Sequence, residues 1–81
     1  KRALVPLRAQ VAKCEERVAK LEDMRRQIDE RLADPETYLK LTPAKSEQIQ
    51  KKRAEIMAAL ERAEALWMEA QSRLDAELSA A

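Results

Sequence analysis

From Leu4 the apolar residues advance by alternating steps of three and four: Leu4, Leu7, Val11, Cys14, Val18, Leu21, then Ile28 and Leu32. Arg25 stands where this pattern reserves an apolar side chain. The spacing is a heptad seam, with Leu4, Val11, Val18, Arg25 and Leu32 at a and the others at d. Pro6 is compatible with a helix only near its first turn, where the missing N–H would have had no partner, so the helix is expected to begin at about Val5. Asp34-Pro35 ends it, because the residue before a proline is pushed out of the α region, and a first long helix follows over about residues 5–33. Asp34-Pro35-Glu36 then combines an N-cap, a proline at the first helical position and an acid in the first turn, which predicts a short helix over about 35–40. Thr42-Pro43 repeats the device and opens a second long helix over about 43–79. Its own seam runs Ile49, Arg53, Ile56, Leu60, Ala63, Trp67, Ala70, Leu74.

Two seams separated by a proline-marked bend predict closure within one chain, giving an all-α fold: a two-helix antiparallel coiled-coil hairpin with a short helix at its tip. In the register expected, Leu32 faces Ile49, Ile28 faces Arg53, Arg25 faces Ile56, Leu21 faces Leu60, Val18 faces Ala63, Cys14 faces Trp67, Val11 faces Ala70 and Leu7 faces Leu74. Large faces small in several layers, and Trp67 is expected as a buried anchor in the hole opposite Cys14. Tyr38 is expected to cap the end of the zipper with Leu39 and Leu41. A zipper of this kind suits a chain of 81 residues, which has room for one small domain and little apolar surface to bury.

Composition agrees with long helices: there is no Gly, His or Phe, and 38% of the residues are charged. No apolar run approaches the roughly 20 residues needed to cross a bilayer, and no signal-peptide pattern opens the sequence. A single cysteine, Cys14, has no internal partner for a disulfide, and a lone thiol fits a reducing compartment, so the cytoplasm is expected. A monomer is expected, since the proline-rich bend argues against a swapped or parallel dimer.

Catalysis is not expected. The chain lacks histidine for proton transfer, a second cysteine for a metal cluster and a glycine-rich phosphate loop, so no catalytic residue, metal or cofactor is assigned. Glu15, Glu16, Glu22, Asp23, Asp29 and Glu30 read as solvated helix faces, and Cys14 on the seam as a small hydrophobe. With only Trp67 and Tyr38 as aromatics, sequence-specific reading of unstacked bases is not expected.

Charge is where the sequence points to a partner. Lys and Arg number 16 against 15 acids, so the net charge of +1 makes no global case for a polyanion. The distribution does. Lys40, Lys45, Lys51, Lys52 and Arg53 lie in a stretch with Glu47 as its one acid, whereas Ala54 to Ala81 is acidic. Arg25, Arg26 and Arg31 add cations near the tip. Arg31 and Lys52 are expected to flank one another across the zipper, which costs a few tenths of a kcal/mol at such exposure. These eight cations are the candidate nucleic-acid contacts, acting on phosphates by charge and shape. The plainer alternative is that Arg25 and Arg53 lay their alkyl stems over the seam while Asp29 and Glu55 neutralise them.

Three segments carry a resemblance to a known family: Ala3 to Val18 with Pro6-Leu7-Arg8 entering a heptad helix, the tip Leu32-Ala33-Asp34-Pro35-Glu36-Thr37-Tyr38, and Ala59-Leu60-Glu61-Arg62-Ala63-Glu64-Ala65-Leu66-Trp67-Met68-Glu69-Ala70. Together they resemble the C-terminal domain of ABC-F ATPases of the Uup type, over nearly the whole chain. The resemblance implies a tail on a protein with two ATP-binding cassettes and no transmembrane segments. Such proteins act on the translating ribosome, and the tail is associated with binding ribosomal RNA or DNA. The cassettes lie outside these 81 residues, so ATP is implied for the parent protein and not for this segment. The rival expectation is a protein-binding or structural spacer hairpin whose basic tip is merely solvated.

Overall fold

The computed structural model describes residues 4–80 and contains three helices: α1 (Leu4–Ala33), α2 (Pro35–Lys40) and α3 (Pro43–Ala80). Among the described residues only Asp34, Leu41 and Thr42 fall outside helix. The helix bounds follow the local signals. Pro6 sits in the first turn of α1, one residue further in than expected, because the helix begins at Leu4. At the bend, Asp34 is extended (φ −75°, ψ 115°) and its Oδ1 accepts the backbone N–H of Glu36 at 3.1 Å, while Thr37 Oγ1 donates to Oδ2 at 3.0 Å. Thr42 does the same for α3, its Oγ1 accepting the N–H of Lys45 at 3.2 Å. Each cap satisfies a donor that the first helical turn would leave without a partner.

α1 and α3 pack along their length as an antiparallel pair, making a rod of 58 × 16 × 15 Å. Their direction is fixed by who meets whom. Val11 and Cys14 near the start of α1 form one cluster with Ala70 and Leu74 near the end of α3, with Leu4, Leu7 and Trp67 packed against it. At the other end Asp29 of α1 bonds to Arg53 of α3. Both sets of contacts fit the register expected from the two seams.

The buried side chains are Val11 and Cys14 on α1 and Ile56, Leu60, Ala63, Ala70 and Leu74 on α3, all of them seam positions. Ala63 and Ala70 leave room for the opposing helix to approach, and Ile56 and Leu60 supply the larger knobs, each contributing ~1.5–3 kcal/mol when fully buried. Toward the tip the packing loosens. Ile28, Leu32, Leu41 and Ile49 are only half-buried there, in the stretch where arginines replace two seam hydrophobes.

Two expectations about aromatics are corrected. Trp67 is half-buried, not enclosed: an indole is too large for the hole opposite Cys14, so the ring packs on the cluster and keeps an edge outward, with Nε1 donating to Glu15 Oε1 at 3.3 Å. Tyr38 does not cap the zipper. α2 rests on α1 alone among the described residues, leaving Tyr38 65% and Leu39 84% exposed, and it is Leu41 that turns inward at the bend. A helix of six residues has one inward face, and the Asp34 cap aims that face through Thr37 instead.

Candidate nucleic-acid interface

The eight candidate cations fall into two groups. Arg53 and Arg26 are ion-paired within the hairpin, and Arg25 is half-buried without an ion pair among the described residues. Arg53 Nε donates to Asp29 Oδ1 at 2.7 Å, with both side chains partly shielded. Arg26 pairs with Asp23 one turn back and lies 4.0 Å from Glu30 one turn on. The Asp23 hydrogen bond, then the charges of Asp23 and Glu30, raise the Arg26 guanidinium above its ordinary pKa, so it is a fixed cation. Arg25 is half-buried and shares a shallow groove with Met57, Leu60, Glu61 and Glu64, its stem over the seam and acids of α3 nearby. The plainer alternative thus holds for Arg53 through Asp29, while Glu55 makes no ion pair among the described residues.

The other five are Arg31, Lys40, Lys45, Lys51 and Lys52. All are exposed, and none has an ion-pair partner among the described residues. Two of them also complement helix ends: Arg31 lies in the last turn of α1 and Lys40 in the last turn of α2, where a cation meets unpaired carbonyls. That accounts for a cation at those positions. It does not account for Lys45, in the first turn of α3 where the helix dipole disfavours positive charge, or for Lys51 and Lys52, which lie beyond the reach of either helix end.

Arg31 and Lys52 come together as the register expects. They stand on the walls of one groove between α1 and α3, lined also by Met24, Gln27, Ile28 and Ile56, with no carboxylate among its lining residues. A groove with cations on both walls and an apolar floor attracts an anion, since neither cation has an ion-pair partner among the described residues. Another flank of α1 over the same stretch is mixed in sign, with Glu22, Asp23, Asp29 and Glu30 beside Arg25 and Arg26. Sequence reasoning did not separate these two flanks. The signal was there in the three-residue spacing of Asp23 and Arg26, which places them on one face of a helix.

No helix among the described residues is long and apolar enough to cross a membrane, and no group of three or more His, Cys, Asp or Glu is placed to hold a metal ion. Comparison of the chain with protein-family models, with curated proteins and with solved structures finds no match.

Proposed function

We propose that this hairpin is a nucleic-acid-binding tail of an ABC-F type ATPase, working in the cytoplasm as a monomer and contacting phosphates of ribosomal RNA or DNA through its basic tip half. The observation that carries the binding reading is the acid-free groove between Arg31 and Lys52, continued by the unpaired Lys40, Lys45 and Lys51. The family reading rests on the Asp34-Pro35 tip with Tyr38 and on Trp67 followed by Glu69. It predicts two ATP-binding cassettes encoded ahead of Lys1.

A phosphate interface has a salt signature. Titrating the chain with RNA and with duplex DNA at two ionic strengths should give affinities that fall steeply with salt. Lys51→Glu together with Lys52→Glu should lower affinity about tenfold and reduce the log–log salt slope by about two, with helicity unchanged. Binding that survives the reversal, or that ignores salt, places the contact elsewhere.

A second reading has its own support. Leu66 and Met68 are 55% and 64% exposed on the acidic half of α3, on different sides of the helix, and exposed apolar side chains there suit a protein-binding spacer hairpin. That reading predicts no salt-dependent oligonucleotide binding at all.

A further inference from the structure

The phosphate reading leaves two exposed apolar side chains of the tip helix unexplained. Tyr38 and Leu39 stand 65% and 84% exposed on α2, followed by Lys40, and α2 has no neighbour but α1 among the described residues. Burying neither side chain, the hairpin gains nothing from an aromatic or a leucine at these positions. We propose that Tyr38 stacks on an unpaired base, so that the tip takes a single strand or a looped-out nucleotide in preference to a closed duplex. This rests on the nucleic-acid reading above and narrows its ligand class.

The chemistry follows from what each group can touch. A phenol ring recognises the face of a base, and that face is accessible only where the base is unstacked; within a double helix it is covered on both sides. Lysines recognise phosphates in either form. Lys40 closes α2 two residues after the exposed ring and Arg31 lies in the last turn of α1, so both cations share the tip end with Tyr38, as does Glu36, and a strand whose base lies on Tyr38 meets positive charge nearby. From Lys45 to Lys52 the cations without an ion-pair partner among the described residues extend for about 10 Å along α3. A flexible phosphodiester strand can follow them from the tip into the Arg31–Lys52 groove. A flat anionic lipid surface met end-on reaches Tyr38, Leu39 and Lys40 only, leaving Lys45, Lys51 and Lys52 idle, and this favours the nucleic acid.

The test uses the full 81-residue chain. Fluorescence anisotropy would follow binding to a labelled thymidine oligonucleotide of about ten nucleotides and to a duplex of equal length. Tyr38→Ala should weaken the single strand about tenfold and leave the duplex unchanged, while Tyr38→Phe keeps both affinities, because the stacking face is retained. Circular dichroism should be identical for all three proteins, since the side chain is exposed. Three outcomes overturn the proposal, and they are distinguishable. If Tyr38→Ala changes nothing while the Lys51 and Lys52 reversal weakens both probes, phosphate binding stands and stacking falls. If the unmodified chain binds neither probe, both readings fall together. If Tyr38→Ala instead releases the chain from phosphatidylcholine–phosphatidylserine vesicles and spares the oligonucleotide, the tip is a lipid contact.

Discussion

Arg53 of α3 donates from Nε to Oδ1 of Asp29 on α1 at 2.7 Å, joining residues 24 apart in sequence at a seam position that heptad logic assigns to a hydrophobe. The pair is a partly exposed bridge, with side chains 37% and 44% accessible, so its net worth is small, ~0.5–1 kcal/mol. Its geometry is specific all the same. A slip of one heptad would carry Arg53 about 10 Å along the axis and out of reach of Asp29.

A double-mutant cycle measures this bridge. Asp29→Ala, Arg53→Ala and the double variant, unfolded by urea, should give a coupling of ~0.5–1 kcal/mol that shrinks with added salt. Arg53→Leu should behave differently from Arg53→Ala and raise the melting temperature by several degrees, because Leu fits a seam whose neighbours are Ile28, Ile49 and Ile56. A coupling of zero, or a Leu variant less stable than the parent, contradicts the packing described.

Leu60 tests how concentrated the core is. It is 4% exposed and lies between Ile56 and Ala63 in the buried run of α3. Leu60→Ala removes a knob that a two-helix core cannot close over, and should cost ~2–4 kcal/mol. For a domain of this size that lowers the melting temperature by roughly 10 °C or more, enough to consume much of a small domain's stability. Leu39→Ala, at an exposed position of α2, serves as the control and should leave the thermal unfolding curve where it was.

The caps predict a local effect. Asp34→Ala removes the acceptor for Glu36 N–H and for Thr37 Oγ1 together, at a cost of ~1 kcal/mol. Among the described helices α2 touches α1 alone, so most of that loss should appear as fraying of Pro35–Lys40. Hydrogen exchange should quicken at Tyr38 to Lys40 and stay slow at Leu60 and Ala63. Uniform acceleration across α3 would mean that α2 is coupled to the zipper after all.

Helix bounds and register were the legible part, and for identifiable reasons. Pro6, Pro35 and Pro43 restrict the backbone locally, and Asp34 and Thr42 cap within three residues, so both signals are contained in short windows. The register followed from the two seams and the short proline-marked connection between them, since Val11 and Leu7 then meet Ala70 and Leu74 in one cluster, although the size match expected for Trp67 did not hold. The site was less legible. Whether Arg26 is free depends on rotamers relative to Asp23, and whether Arg53 is free depends on which flank of the seam Asp29 occupies, both of which need three dimensions. Tyr38 was misjudged because apolar character alone argues for burial, and nothing in a six-residue helix says which of its faces the cap will aim inward.

A rod measuring 58 Å by 16 Å with a Cα radius of gyration of 18.0 Å is far from the ~12 Å of a compact chain this long. It sweeps out a large volume as it tumbles, so a single molecule will elute from a sizing column where a globular pair would, and light scattering should return the mass of one chain at that same elution volume.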